Sequence, residues 1–258
     1  MQPFEFAEPE TLREAIALLD TEMAHPFSGG TALMLMMKAG VLHPERLVSL
    51  GKLGLDSIET GPAGELRIGS MASLRQLERS DLVRRGWPAI SRTLLTLSNV
   101  RVRNVARLGG HLAHGDPHTD LPPLLSALGA VASIAGPDGE RRVEVESLYA
   151  GYLETTLARN ELIVRVDVPP MGKKQAAYLK CTTRSMDDWP AVGVAVCLGE
   201  ESRFFVSAAT DRPIRLASAD AVEDLHIEDD LHGSAAYKKQ LIRVYLKRAI
   251  HEARKPAG

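Results

Sequence analysis

The chain has 258 residues, room for one large domain or two ordinary ones, and its 45% apolar and 25% charged content is that of a folded globular protein. A formal charge of −2 and 5% aromatic residues argue against a polyanion-binding or base-stacking surface, so no nucleic-acid partner is expected. Cys181 and Cys197 are too few to hold an iron–sulfur cluster or a disulfide framework, and no basic leader or apolar run of ~18 residues is present, so the chain is expected to be cytoplasmic with no transmembrane segment.

Residues 3–6 open as an extended piece. Thr11 and Glu14 have the spacing of a capping box. Leu12, Ala15, Ile16 and Leu19 behind them share one helical face. Residues 25–28 read as a short strand or turn, and residues 32–38 as a helix rich in Leu and Met that Gly40 stops. A strand is predicted at 47–50, and a hairpin from 57–59 and 65–68 around Gly61-Pro62-Ala63-Gly64. Helical patterns follow at 73–78 and 88–97.

Residues 104–117 read as a loop dense in glycine and histidine, followed by a helix over 120–128. A second hairpin joins 131–135 to 142–145 through Gly136-Pro137-Asp138-Gly139. A strand at 162–168 ends on Pro169-Pro170, and the stretch Pro169-Pro170-Met171-Gly172-Lys173-Lys174 has the composition of a domain boundary. Beyond it, strands at 176–181, 192–198 and 203–208 suggest an antiparallel meander. A final helix is predicted at 235–251, with Leu241, Val244 and Tyr245 on one side. Strands mixed with helices without strict βαβ alternation indicate an α+β fold.

Two glycine pairs, Gly29-Gly30 and Gly109-Gly110, each stand ahead of a helical pattern. Loop amides before a helix can hold an anion, and two such loops suggest one ligand with two phosphates. Neither pair fits G-x-G-x-x-G or G-x-x-x-x-G-K-[ST], which argues against a nicotinamide Rossmann site and a P-loop. His111, His114 and His118 with Asp116 and Asp120 admit three readings: a zinc or iron site, loop groups bonded to local backbone, or contacts to a polar organic ligand. Asp120 also stands where a helix N-cap is expected. Lys180 and Arg184 can pair with carboxylates across the turn at 185–190. Trp189 there is either a packing anchor or the cover of a planar ring. No Ser–His–Asp or Cys–His nucleophile pattern stands out.

Several motifs follow one another in a specific order: Phe27-Ser28-Gly29-Gly30-Thr31-Ala32-Leu33, Lys38-Ala39-Gly40, Pro44-Glu45-Arg46-Leu47-Val48, Leu66-Arg67-Ile68-Gly69 and Val102-Arg103-Asn104. Leu108-Gly109-Gly110, Leu112-Ala113-His114-Gly115-Asp116-Pro117, Asp120-Leu121-Pro122 and Gly233-Ser234-Ala235-Ala236-Tyr237-Lys238 complete the set. The set resembles the FAD-binding medium subunit of molybdenum hydroxylases, the xanthine dehydrogenase and aerobic carbon monoxide dehydrogenase family. Ala113-His114-Gly115-Asp116-Pro117 and Asp188-Trp189 are most similar to the carbon monoxide dehydrogenase branch.

The resemblance implies a PCMH-like FAD-binding domain over 1–172, made of α+β subdomains 1–55 and 56–172. An α+β domain over 173–258 with a three-stranded antiparallel sheet would follow. It implies FAD as cofactor, with no metal and no catalytic side chain in this chain. Ser28, Gly29, Gly30, Thr31, Ala32 and Leu33 would hold the pyrophosphate, with Pro26 and Phe27 beside them. Arg107, Leu108, Gly109, Gly110 and His111 would oppose them, with Ser98, Asn104, His114 and Asp116 also at the cofactor. Asp120 would bind ribityl or flavin hydroxyls, and Leu162, Ile163, Lys180 and Trp189 would lie near the isoalloxazine. The implied partners are a small [2Fe–2S] subunit that supplies electrons and a large molybdenum-cofactor subunit, as a dimer of heterotrimers. Electrons would leave the flavin for quinone, NAD or oxygen. Two positions depart from the family, which usually has Thr at Arg107 and Asn at His111. The rival readings are a metal-dependent hydrolase built on His111, His114, His118 and Asp116, and a cofactor-free assembly module.

Overall fold

The structure is a computed structural model that describes residues 2–183, 185 and 188–255. The ion pairing expected of Arg184 therefore lies outside the described residues.

The N-terminal part runs β1 (Glu5–Ala7), α1 (Leu12–Leu18), β2 (Ala24–Phe27), α2 (Leu33–Lys38) and β3 (Arg46–Ser49). The strands form a parallel sheet in the order β1-β3-β2. Thr11 Oγ1 accepts the Glu14 N–H as expected. Only half of the predicted capping box forms, because the Glu14 carboxylate accepts from Glu10 N–H instead. Ala15 and Leu19 turn their shared face onto Val48 and Leu50. Gly40, at φ +71°, takes the left-handed turn that ends α2.

The middle part holds β4 (Ile58–Thr60), β5 (Leu66–Gly69), α3 (Leu74–Arg79), α4 (Asp81–Gly86), α5 (Pro88–Thr96), α6 (Val100–Val105), α7 (Leu108–Ala113) and α8 (Leu121–Ala127). It continues with β6 (Val131–Gly136), β7 (Gly139–Glu144), the short ribbon β8 (Tyr149–Gly151) and β9 (Glu154–Thr155), and β10 (Leu162–Val168). Five of these strands make an antiparallel sheet in the order β4-β5-β10-β6-β7. Both predicted hairpins are present in it. Helices α4 and α6 are not predicted, and α7 falls within the stretch 104–117 that reads as a loop; Ser80 caps α4 by accepting the Val83 N–H, and Asp81 supplies its acidic first turn.

The C-terminal part is a four-stranded antiparallel meander of β11 (Gln175–Thr182), β12 (Pro190–Leu198), β13 (Arg203–Ser207) and β14 (Ile214–Leu216), followed by α9 (Ala235–Ala253). The three strands implied by the resemblance thus gain a fourth, whose Leu216 pairs with Phe204. At three residues, β14 is too short to show a period. Both faces of the sheet are covered. Tyr178, Ala195, Cys197 and Phe205 share a core with α5 and α8, while Val192, Val194, Val196 and Val206 pack on α9. Two buried faces explain why 192–198 reads as an unbroken apolar run. Helix α9 presents Ile242, Leu246 and Ala249 to the sheet, so the expected Leu241, Val244 and Tyr245 flank the contact rather than centre it. Lys238, buried on the same face, pairs with Asp230 at 2.6 Å and donates to Glu228 O. Among the described residues no helix is long and apolar enough to cross a membrane.

Candidate functional site

A cavity of about 690 Å³ is lined by residues of all three parts of the chain. Both glycine pairs line it, so they do face one cleft. Gly30 adopts φ +68°, and the turn it makes brings Gly29 hard against the junction of α6 and α7. A Cβ on Gly29 would lie 2.2 Å from Val105 O and 2.9 Å from Ala106 Cα.

Gly109 and Gly110 are not the expected bend. They belong to the first turn of α7, and neither needs a positive φ. What requires glycine at 109 is approach: a Cβ there would meet Ser70 Cβ at 2.7 Å and Ser70 O at 3.1 Å, whereas one on Gly110 would meet only the Ser28 hydroxyl, at 2.7 Å, which can rotate aside. The Gly109 N–H donates to Ser70 O and the Leu108 N–H to Ala72 O, which pins this turn to the end of β5.

Arg107 is the residue before α7. Its guanidinium donates to Met71 O at 3.3 Å, and its Nε is buried without a partner. Ser70 Oγ and His111 Nε2 are likewise buried and unpaired. Buried polar atoms left unmatched are costly. Three of them beside two glycine turns are what a polar ligand would satisfy.

The wall between α5 and α6 is held from behind. Arg103, buried in α6, bonds Glu78 Oε2 at 2.8 Å and the carbonyls of Leu97 and Ser98 at 3.0 and 2.6 Å. Ser98 is held at φ +49°, and both it and Leu97 line the cavity. Glu78 is also paired with Arg75. The sequence assigns Arg103 no role, because its ion-pair partner Glu78 lies 25 residues away. Arg103→Met is expected to destabilise the protein by about 3 kcal/mol, the cost of breaking a buried ion pair. Urea denaturation measures this. A loss below about 1 kcal/mol, the worth of an exposed pair, would contradict it.

At the other end, Asp116 is buried and accepts both the backbone N–H and Nδ1 of His118 at 2.8 Å. Burial works against its charge, but these bonds and the nearby imidazoles hold its carboxyl below the usual range. His118 stacks on Trp189 with ring centres 5.4 Å apart and planes 14° from parallel. Trp189 is 59% exposed, so it stands at the rim of the cavity and is no packing anchor.

Asp120 does not cap α8 with its side chain. Its carboxylate instead accepts Tyr178 Oη at 2.7 Å and Lys180 Nζ at 2.9 Å, both from β11. Asp120, Tyr178 and Lys180 are all nearly shut off from water. Burial pushes the Asp120 carboxyl upward despite the pull of Lys180, and it pushes the Tyr178 hydroxyl well above its ordinary value.

Of the site residues read from the sequence, all line the cavity except Phe27, Asn104 and Leu108. Phe27 packs edge-on against Phe6 at 5.7 Å and lies against Gly30. Leu108 is fully buried in the core. Asn104 lies on the exposed side of α6. The sequence reading missed the apolar wall supplied by Leu35, Met36, Leu97 and Val102. Their helical spacing gave a signal for burial but none for a ligand. The metal-dependent hydrolase reading finds no support: among the described residues no three His, Cys, Asp or Glu side chains converge to hold an ion.

Residues 2–171 match the family described as the FAD binding domain in molybdopterin dehydrogenase. The chain belongs to this family. It is 30% identical to the carbon monoxide dehydrogenase medium chain of Afipia carboxidovorans, over 97% of this chain and 96% of that one. Its fold is similar to that of a chain in the carbon monoxide dehydrogenase structure from Hydrogenophaga pseudoflava, with a TM-score of 0.92, 28% identity and 98% of each chain covered. A chain of quinoline 2-oxidoreductase from Pseudomonas putida gives a TM-score of 0.91 at 25% identity, covering 98% of this chain and 97% of that one. This member of the family is therefore an FAD-binding medium subunit of the molybdenum hydroxylase type, the flavoprotein part of an oxidoreductase that works with partner subunits.

Proposed function

We propose that this chain is the electron-transfer subunit of a molybdenum hydroxylase complex. It takes electrons from [2Fe–2S] clusters of a small partner subunit and passes them through FAD to an external acceptor. A large partner subunit holds the molybdenum cofactor and oxidises the substrate. The assembly is a dimer of heterotrimers in the cytoplasm. The carbon monoxide dehydrogenase from Hydrogenophaga pseudoflava is a form that lacks the Mo-pyranopterin moiety of its molybdenum cofactor, which supports a molybdenum partner here. We also place the end of the FAD-binding domain at residue 172, with subdomains meeting near residue 55. The separate sheets on either side of each position support this division.

The observation that carries the reading is the shared cavity of the two glycine pairs, with unpaired buried polar atoms beside them. The turn at 28–33 and the first turn of α7 would hold the diphosphate between them. Arg107 would offer its guanidinium and Ser28 its hydroxyl. Asp120, fixed by Lys180 and Tyr178, would orient hydroxyls of the ribityl chain. Leu162 and Ile163 would exclude water from the ring, and the exposed Trp189 would cover its edge. FAD supplies the redox chemistry when bound, and these residues supply position and electrostatics.

Reconstitution of the purified chain with FAD should give a yellow protein with flavin and protein near 1:1. Co-expression with the neighbouring reading frames should recover a cysteine-rich small subunit and a molybdenum subunit in the same particle. A chain that holds no flavin, either alone or with those partners, would overturn the reading.

A further inference from the structure

His111 is oddly placed for a histidine. It sits in α7, immediately after the Gly110 that abuts Ser28. It lines the cavity, and its Nε2 is shut away from solvent with no hydrogen-bond partner. A buried, unpaired ring nitrogen is a deficit that a bound group can repair.

The charges around it sharpen the point. From its own segment Arg107, His114, Asp116, His118 and Asp120 line the cavity. The facing elements contribute His25 from β2, Glu161 ahead of β10, Lys180 from β11 and Asp188 ahead of β12. Lys180 is already committed to Asp120. Among the described residues this leaves Arg107 as the permanent cation of the lining without an ion-pair partner. A diphosphate diester carries two negative charges at neutral pH, so one guanidinium matches only half of that charge.

The free protein keeps His111 neutral. Burial brings its pKa down to about 4; His114 pushes the same way and Asp116 opposes both. His25 is also lowered by burial, which makes it a poor substitute as a second cation.

We propose that His111 takes up one proton as the FAD diphosphate enters the cavity, and so becomes the second cation and a hydrogen-bond donor to phosphate oxygen. This rests on the placement of the diphosphate given above. The proton comes from solvent, is held by the imidazole while the cofactor is bound, and returns on release. A charged donor to a phosphate forms a shorter and stronger bond than a neutral one. Inside a protein cavity the attraction between the two is also less screened than in bulk water.

The sign follows from linkage. Binding raises the pKa of His111, so the complex binds more protons than the free protein. FAD affinity should then fall about tenfold per pH unit between the free-state and bound-state pKa values, and level off above the latter.

Titration calorimetry of the flavin-free, full-length chain with FAD tests this, in two buffers of different ionisation enthalpy at pH 6.5. Wild type should take up close to one proton per FAD. Riboflavin, which lacks the diphosphate, should bind with no uptake. His111→Asn and His111→Gln, each checked for native circular dichroism and melting, should bind FAD with no uptake and with an affinity flat in pH. Stoichiometric FAD binding without proton uptake in wild type overturns the inference and leaves the FAD reading intact. Uptake that persists in both variants assigns the proton to another group and also overturns it. Absence of FAD binding after reconstitution removes the FAD reading and this inference together.

Discussion

Gly29→Ala is expected to abolish FAD retention and to destabilise the protein. The added Cβ would meet Val105 O at 2.2 Å and Ala106 Cα at 2.9 Å, and both are backbone atoms that no rotamer change can move. The junction they belong to is itself tied down. Ala106 N–H donates to Val102 O at 2.8 Å, and Ala106 O accepts the Leu74 N–H at 3.0 Å. The strain must therefore open the cleft between the turn at 28–33 and α7. Overpacking of this kind costs about 1–3 kcal/mol. The flavin-to-protein ratio after gel filtration should fall at least tenfold, because the diphosphate would lose one wall of its seat. Gly86→Ala is the control. Nothing lies within 4 Å of its would-be Cβ, so it should keep its flavin. Full flavin occupancy in Gly29→Ala would show that the contact yields, and that the close approach is not what shapes the site.

Lys180→Met should cost about 3–5 kcal/mol at pH 7.5, the penalty for stranding a buried charge. Lys180 Nζ bonds Asp120 Oδ2 at 2.9 Å, and without it the carboxylate keeps only the Tyr178 hydroxyl. The pH dependence has a definite sign. Burial already raises the Asp120 pKa, and losing Lys180 removes the main opposing pull. For an acid with a raised folded-state pKa, the folded form is favoured by protonation. Its stabilising effect is present below the unfolded pKa and is lost as pH rises through the folded one. The deficit of Lys180→Met should therefore be largest at pH 7.5 and shrink toward pH 5 as Asp120 takes up a proton. Urea denaturation at the two pH values measures this. Asp120→Asn combined with Lys180→Met should recover most of the loss. Equal deficits at both pH values, or a double variant no better than the single one, would show that Asp120 is not the charge left behind.

Turn chemistry and long periodic runs made much of the fold legible before any coordinates. Gly61-Pro62-Ala63-Gly64 and Gly136-Pro137-Asp138-Gly139 marked their hairpins, and Pro169-Pro170 closed the strand Leu162–Val168 at the residue observed. Helix α4 escaped because its apolar Leu82 and Val83 are adjacent and show no i, i+3 or i+4 repeat, and strand β14 because three residues are too few for an alternation to emerge. The parallel pairing of β1, β3 and β2 escaped because a pattern within one strand does not name its partner elsewhere in the chain. At the site, residue types were readable but their reasons were not. A glycine pair such as Gly109-Gly110 reads as a bend, whereas it is the close approach of Ser70, far off in sequence, that leaves no room for a side chain at Gly109. Asp120 stands at the start of α8 as read, yet Tyr178 and Lys180 claim its carboxylate from β11. The buttress of Glu78 and Arg103 joins residues 25 apart and has no local signature. Long-range partners of this kind emerge only when the chain has folded.

Every residue of α8 is buried, and β12 and β13 provide much of the cover. Those strands are made late. A nascent chain that has emerged from the ribosome only as far as residue 172 has both glycine turns but lacks Tyr178, Lys180 and Trp189. Its α8 also lies bare on the side that the meander will occupy. The last third of translation thus both covers α8 and supplies the final wall of the cavity, whose full lining exists only once the meander has been made.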